Sequence, residues 1–417
     1  MEQSFFSAAQ KQPHALLFAG QSTPWTQVLQ EVGDNAELMD ALRSYDQEAE
    51  RLLRPVATQL LTVYGKKLDL FSYASAQPVL GKAKYAEASV PGVVLAQIAA
   101  LEDARNLGMP FAADTFVAYA GHSQGLLSID AAGVLVDAAA GVINQEEATR
   151  RMGLILAIAR LIGAAGSQVS ARQGIVPETA ASPMLAIKGA TREQIEALIS
   201  RIPQPLGPVA IGVKNARDNY VVSGFPQDLR KLEACMGQEH KHQAKLREQK
   251  VRGGNVFDPT AEYLEVSIPF HSSLLRDAVA LVQDRARQCG LDSDLAGSLA
   301  QAVLVDQVDW DAQIKDILQN HEDWRKERGL SKNSVDSALW FMDFGPGATA
   351  EKLTKALVEG TGCGLVSAST AKKRLDLATP GISYKPLGDW SRFAPHIVHT
   401  PAGDKVSTAF TRLTGRS

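Results

Sequence analysis

The feature that most restricts the fold of this chain is the pentapeptide GHSQG at residues 121–125. It lies between TFVAYA (115–120), which has the pattern of a short buried strand, and a run after Gly125 whose apolar residues recur at helical spacing. Two glycines around a serine at a sharp strand-to-helix turn present the hydroxyl near the positive end of a helix. Ser123 is therefore predicted to be a nucleophile in an α/β fold, and the alternative is a structural glycine turn.

Composition is that of an ordinary globular protein and excludes several classes. The 417 residues include 43 Lys+Arg and 46 Asp+Glu, a net charge of −3, and 45 % of them are hydrophobic. A disordered chain would carry more net charge and fewer apolar residues, and nucleic-acid binding would need a basic stripe. We expect no membrane span, since no apolar run reaches about 20 residues. Three widely spaced cysteines predict neither a disulfide framework nor a metal site, and a cytoplasmic location is expected.

A nucleophilic serine needs a base, and His271 is the best placed of the eight histidines. It directly follows the apolar run VSIPF and precedes SSLL, at the end of a predicted strand. An ordinary histidine at a helix start is the alternative. An α/β-hydrolase would place an acid between serine and histidine, with the histidine late in the chain. About a third of this chain follows His271, so a serine–histidine dyad fits better.

The order of elements predicts an insertion in the α/β body. HALLFAG (14–20) is typical of an opening strand, and 89–108 and 145–162 are predicted helices. From 183 to 270 the pattern is strand–helix–strand–strand–helix–strand, the ferredoxin-like order. The expected organisation is a hydrolase-like core with a parallel sheet at 13–181 and 267–367, a ferredoxin-like subdomain at 182–266 containing an exposed loop at 239–255, and a linker at 368–417.

These motifs together resemble the acyl-CoA:acyl-carrier-protein transacylase family, and more narrowly the acetyltransferase domain of microbial type I fatty acid synthases. The resemblance is carried by Gly20-Gln21-Ser22 after the first strand, GHSQG, PFHS (269–272) and Gly345-Pro346-Gly347. The sequence STPW after Gln21 is similar to the synthase domains, and the tail STAFTRLTGRS resembles the segment leading into their next domain. The resemblance implies a piece of a larger synthase.

The resemblance also implies the roles of individual residues. Ser123 would be the nucleophile and His271 the general base, with the backbone N–H groups of Gln21 and Gln124 as the oxyanion hole. A backbone carbonyl near Val303 would orient the histidine.

Around the substrate, Asn215 matches a substrate-side asparagine or, equally, an Asx-turn residue. Lys188, Lys214 and Arg217 are candidates for the CoA phosphates. Acetyl-CoA would be the substrate and the phosphopantetheine of an acyl carrier domain the acceptor, with no metal and no permanently bound cofactor. The other synthase domains would be partners.

The GHSQG turn at residues 121–125 is called the elbow. The helix that follows the elbow predicts which acyl group is transferred. In malonyl-selective members of the family, that region carries an arginine followed by a glycine, and the arginine binds the substrate carboxylate. Alignment on Gly153 places Met152 at that position, which favours a neutral acyl group, acetyl most simply. A shift of one residue would place Arg151 there instead and predict malonyl, and longer neutral acyl groups also stay open.

Two alternatives from other classes remain at this stage. A serine esterase or thioesterase would use the same elbow and release its acyl group to water. A non-catalytic domain that organises a large synthase would need neither Ser123 nor His271.

Overall fold

The computed structural model describes residues 4–9, 12–21, 24–61, 68–75, 85–112, 114–176, 182–248, 257–330, 338–380, 382 and 384. Its strands are β1 (His14–Phe18), β2 (Phe116–Gly121), β3 (Met184–Lys188), β4 (Ala210–Ala216), β5 (Asn219–Ser223), β6 (Thr260–Tyr263), β7 (Val308–Asp309), β8 (Trp340–Asp343) and β9 (Gly364–Ser367). Its helices are α1 (Phe5–Ala8), α2 (Trp25–Glu31), α3 (Ala36–Leu52), α4 (Ala57–Leu61), α5 (Leu70–Ser75), α6 (Ala86–Asn106), α7 (Gly125–Ala139), α8 (Gln145–Arg172), α9 (Arg192–Ile199), α10 (Pro226–Glu248), α11 (Arg276–Gln288), α12 (Ser293–Leu304), α13 (Trp310–Glu327), α14 (Thr349–Val358) and α15 (Ala371–Ala378).

The chain forms two compact units. The first comprises Met1–Ala83, Ser89–Arg160 and Ala312–Ser417, and the second comprises Lys84–Ala88 and Leu161–Asp311. The predicted subdomain, 182–266, is narrower than the second unit, because β7 pairs with β4 and α11 packs against α12 within that unit.

The first unit is built on a parallel sheet, as the sequence predicts. Its strand order is β2-β1-β8-β9. Every residue of β1 is buried, which explains the continuous apolar run HALLF of an inner parallel strand. Phe18 pairs with Gly121 and Leu17 pairs with Asp343. The loops that follow β1, β2 and β8 therefore leave the same edge of the sheet, where ligands bind in folds of this kind.

The second unit contains the predicted ferredoxin-like subdomain. Its sheet has the order β6-β3-β5-β4-β7, in which the first four strands are antiparallel to their neighbours and β7 is parallel to β4. Alternate residues of β3, Leu185 and Ile187, are buried with Ile195 of α9 and Leu229 and Leu232 of α10. The alternation follows from the two-residue period of a strand with one face on a helix layer.

Helix α10 corrects the predicted exposed loop at 239–255. The helix continues to Glu248, and residues 249–256 lie outside the described part of the chain. The reason is local: from 238 to 248 the chain contains Gln, Glu, Lys, Ala, Leu and Arg, which favour helices, with no glycine or proline.

The start of the predicted linker is a helix that is fixed to the first unit. Helix α15 begins after Thr370, whose side chain accepts a hydrogen bond from the N–H of Lys373. The buried Arg374 donates to Asp103 at 2.5 Å and to the carbonyl of Ala368 at 2.9 Å. The linker prediction is therefore wrong for 371–378, while residues 385–417, including the synthase-like tail, lie outside the described part.

Helix α8 is long and apolar enough to cross a bilayer, with a mean hydropathy of 1.6 over 18 residues. That same window is 83 % buried within the structure. A buried core helix meets the same criteria of length and hydropathy, so they are weak evidence for a membrane span.

Candidate active site

Ser123 occupies a tight turn between β2 and α7, in the first unit. Its φ is +57°, in the left-handed region, and its side chain is almost fully buried. A Cβ on Gly121 would lie 2.5 Å from the nitrogen of Leu126, and one on Gly125 would lie 2.4 Å from the carbonyl oxygen of Phe18. Only glycine fits at these two positions. The predicted strand–turn–helix setting of the serine is thus present.

The start of α7 offers a backbone donor beside the serine. The N–H groups of Gly125, Leu126 and Leu127 donate to carbonyls inside the turn. Within the described residues the N–H of Gln124 has no protein acceptor, and neither has that of Gln21. Helix N-termini attract anions through such unpaired N–H groups. Both N–H groups assigned to the oxyanion hole are therefore available to an acceptor that is not part of the protein.

The loop after β1 approaches the elbow closely. A Cβ added to Gly20 would lie 2.7 Å from the carbonyl oxygen of His122 and 3.1 Å from the Cβ of Ser123. Glycine at position 20 thus allows the loop that leads into Gln21 to pass directly beside the serine. Ser22, the departure from the family's second glycine, lies outside the described residues.

The Gly345-Pro346-Gly347 turn supports this loop from the neighbouring strand. The N–H of Ala19 donates to the carbonyl of Gly345 at 3.3 Å. The fully buried carboxylate of Asp343 accepts from the N–H of Gly345 at 2.7 Å and from that of Glu351 at 2.8 Å. Burial raises the pKa of Asp343 to about 7, against the opposing effect of these two hydrogen bonds.

His271 lies in the second unit and is held in one tautomer. It is 3 % exposed, has a φ of +57°, and its Nδ1 lies 2.7 Å from the carbonyl oxygen of Asp306. A carbonyl can only accept, so in the neutral imidazole Nδ1 carries the hydrogen and Nε2 is left with a lone pair. The carbonyl of Phe270 accepts from Ser223 Oγ at 2.6 Å, which fixes the backbone just before the histidine.

The carbonyl that orients the histidine belongs to Asp306 and not to Val303. Val303 is fully buried within α12, two residues from the C-cap of that helix. The chain leaves the helix after Leu304, and the carbonyl that accepts from the imidazole belongs to the second residue beyond that end. The prediction of Val303 is corrected by three residues.

Two residues of the second unit that were predicted to bind the substrate, Asn215 and Lys214, form polar contacts within that unit. Asn215 lies in strand β4 rather than in a loop, and its Nδ2 is 3.4 Å from Oδ1 of Asn219. Lys214 pairs with Asp309 at 3.1 Å and with Asp311 at 3.0 Å. Two carboxylates already compensate the charge of Lys214, which weakens it as a ligand for CoA phosphates. The role of Asn215 stays a prediction.

Arg151, the alternative to Met152, is engaged by two carboxylates. It donates to Asp137, near the end of α7, at 3.3 Å and to Glu147 at 2.8 Å. Met152 itself is fully buried. The assignment of acyl selectivity to Met152 stays a prediction.

Three residues that the sequence analysis did not select contact the predicted site segments. Gln97 donates to the carbonyl of Ala19, Asp306 accepts from His271, and Asp343 accepts from the N–H of Gly345. Gln97 had a signal in the sequence, since it is a single polar residue in the apolar run VVLAQIAAL. Asp306 acts through its carbonyl, which no side-chain pattern reveals.

Comparison with known proteins connects this geometry to a family. Residues 183–263 match the family model "Fatty acid synthase central AT domain". The chain is 25 % identical over 334 residues to the fatty acid synthase beta subunit hexB of Dothistroma septosporum. That match covers 70 % of this chain and 16 % of the relative, so the chain spans about a sixth of the fungal subunit.

The fold is that of malonyl transacylases. The malonyl CoA-acyl carrier protein transacylase of Coxiella burnetii superposes with a TM-score of 0.54 at 19 % identity, covering 90 % of this chain and 96 % of that one. A malonyl transacylase in complex with a type II polyketide synthase acyl carrier protein gives 0.53 at 19 % identity, covering 88 % and 99 %. The resemblance drawn from the motifs is thereby confirmed: this chain is similar in sequence to the acyltransferase domain of a type I fatty acid synthase, and it has the α/β fold of the transacylases.

Proposed function

We propose that this chain is an acyltransferase that moves an acetyl group from acetyl-CoA, through an ester on Ser123, to the phosphopantetheine thiol of an acyl carrier domain. The observation that carries the proposal is the elbow. Ser123 is held at a positive φ between two obligatory glycines. The N–H groups of Gln21, in the loop that approaches this turn, and of Gln124, at the start of α7, have no acceptor within the described residues. Such a site presents a hydroxyl for attack and donors for an oxyanion.

Acylation of Ser123 is the first half of the reaction. Nε2 of His271 takes the hydroxyl proton as Oγ attacks the thioester carbon, and the carbonyl oxygen gains negative charge. The N–H groups of Gln21 and Gln124 stabilise that charge. The tetrahedral intermediate collapses as the C–S bond breaks, and the imidazolium returns its proton to the CoA thiolate.

Deacylation of Ser123 repeats these steps in reverse order with a different thiol. His271 deprotonates the phosphopantetheine thiol, whose sulfur attacks the acetyl ester, and the proton returns to Ser123 Oγ. The hydrogen bond from Nδ1 to Asp306 supports the role of His271, because it leaves Nε2 as the proton acceptor.

A neutral acyl group is supported by the contacts of three of the four arginines of α8. Arg150 and Arg151 both donate to Glu147, whose pKa they lower to about 2, and Arg160 pairs with Asp46 at 2.5 Å. These three cations are compensated by carboxylates of the chain itself. A malonyl carboxylate buried without a cation would cost about 3–5 kcal/mol, or at least a hundredfold in rate.

Malonyl transfer is the second candidate, because the solved structures that share the fold are named as malonyl transacylases. The carrier domain as acceptor is supported by the complex of one of them with its acyl carrier protein. The similarity to fatty acid synthase subunits about six times longer supports a place among further synthase domains. None of the three cysteines forms a disulfide, which supports a reducing compartment such as the cytoplasm.

The test is transfer of label from radioactive acetyl-CoA or malonyl-CoA, with and without a holo acyl carrier domain. We expect acetyl to label the protein at least a hundredfold faster than malonyl, and the label to pass to the carrier. Ser123→Ala is the control and should take no label from either donor. Faster malonyl labelling would replace the acetyl assignment, and release of label only to water would indicate an esterase.

A further inference from the structure

Gln97 is a buried side chain that joins three segments around the nucleophile. It lies in α6 and is fully inaccessible to solvent. Its Nε2 donates to the carbonyl of Ala19 at 2.8 Å and to that of Gly345 at 2.5 Å, and its Oε1 accepts from Ser128 Oγ at 2.5 Å. These partners belong to the loop after β1, the turn after β8 and the first half of α7.

The chemistry of these partners allows only one orientation of the amide. Both hydrogens of Nε2 point to carbonyl oxygens, and the amide oxygen receives a hydroxyl. The reverse orientation would face the amide oxygen towards two carbonyl oxygens, so that this amide oxygen and the carbonyl of Ala19 would both be buried without a donor. Unpaired buried polar groups are costly, so Gln97 forms a cross-link with a single geometry.

The cross-link acts on the peptide that precedes the proposed oxyanion donor. The N–H of Ala19 is bonded to Gly345 and its carbonyl is bonded to Gln97, so both polar groups of this residue are occupied. Gly20, which has no side chain, follows against the elbow, and the N–H of Gln21 comes next. Without Gln97, a short loop containing glycine would keep one fewer restraint on the direction of that N–H.

We propose that Gln97 is a positioning residue that holds the N–H of Gln21 in place to stabilise the oxyanion. This inference deepens the proposed function and rests on the part of it that assigns a nucleophilic Ser123 with the Gln21 donor. Gln97 does not touch the substrate: it acts through the carbonyls of Ala19 and Gly345. A role in stability alone is the competing explanation, and rate measurements under saturating conditions separate the two.

The decisive variant is Gln97→Met, which keeps the length of the side chain and removes its donors. Two reactions of Ser123 are followed: the burst of acetylation by acetyl-CoA at varied concentration, and phosphonylation by a fluorophosphonate, in which the Oγ–P bond forms and fluoride leaves. We expect the maximal rates of both reactions to fall about 10–100-fold, since loss of an oxyanion donor costs on the order of 10²–10³. The half-saturating concentration of acetyl-CoA should change less than about threefold, because the substrate contacts remain.

Tyr45→Phe is the matched control. It also removes a buried hydrogen bond that involves α6, the 2.6 Å bond from the Tyr45 hydroxyl to Glu102, and it does so away from the loop. Both variants should lower the urea midpoint of unfolding, and only Gln97→Met should slow Ser123. Equal rates in folded Gln97→Met and wild type, or an equal slowing in Tyr45→Phe, would overturn the proposal.

Ser128→Ala is a second variant that tests the same proposal if Gln97→Met does not fold. It removes only the hydroxyl that fixes the amide oxygen, so phosphonylation should fall several-fold, and an unchanged rate would overturn the proposal. The fluorophosphonate also separates the two hypotheses, because it needs no acyl-CoA. If wild type is phosphonylated but not acetylated, the acetyl-transfer function fails while Gln97 is still tested.

Discussion

Replacement of Gly20 by alanine tests how closely the loop after β1 must approach the nucleophile. No positive φ is required at this position, so the effect of the new methyl group is purely steric. Its carbon would lie 2.7 Å from the carbonyl oxygen of His122 and 2.9 Å from His122 Nδ1, whereas ordinary contacts begin at 3.4 Å. Relief requires a movement of about 0.7 Å between the loop and the elbow, and a misplacement of about 1 Å costs on the order of 10²-fold in rate.

The assay is the maximal rate of Ser123 phosphonylation and of acetylation, measured beside the free energy of unfolding. We expect Gly20→Ala to slow both reactions about 30–100-fold and to destabilise the fold by about 1–3 kcal/mol, as overpacking does. Gly237→Ala is the matched control, because a Cβ there meets no atom within 4 Å. It should leave the rates unchanged and stabilise α10 by about 0.5–1 kcal/mol. A wild-type rate in Gly20→Ala would refute the close-approach argument.

Three further changes test other parts of the structure. Burial raises the pKa of Asp343 from 3.8 to about 7, so the folded state binds the proton more tightly and the stability from this group is lost as pH rises towards 7. The destabilisation caused by Asp343→Asn should therefore shrink by about 2 kcal/mol between about pH 5 and pH 7 in urea titrations, and a constant difference would contradict the assignment. Arg160→Met should cost about 3–5 kcal/mol because Asp46 stays buried without its cation, and adding Asp46→Leu should recover most of that loss; equal stability of the single and double variants would argue against the pair. Met152→Arg should shift the ratio of acetyl to malonyl labelling towards malonyl, because its guanidinium can pair with the malonyl carboxylate, whereas an unchanged ratio in the folded variant would show that the alignment through Gly153 is wrong.

The parts of the fold that were predictable from sequence are those with a strong local signal. The GHSQG elbow needs glycine at two positions because backbone atoms occupy the space of a Cβ, and that requirement is visible as a motif. The ferredoxin-like subdomain was predictable because the residues that β3 and β5 contribute to its hydrophobic core alternate along each strand, while those of α9 and α10 recur at helical spacing.

The parts that were not predictable depend on contacts between distant segments. The carbonyl that orients His271 lies beyond the end of α12, and a backbone acceptor leaves no trace in the side chains. Helix α15 is stabilised by the pairing of Arg374 with Asp103, which is 271 positions away.

The most direct test of the account is the chemical identity of residue 123 after reaction with acetyl-CoA. The protein is mixed with acetyl-CoA, quenched in acid within the burst, digested and mapped by mass spectrometry. We expect one acetyl ester, on Ser123, that disappears when a holo acyl carrier domain is added before the quench. An unmodified Ser123, or an acetyl group on another residue that persists in Ser123→Ala and passes to the carrier, would contradict it.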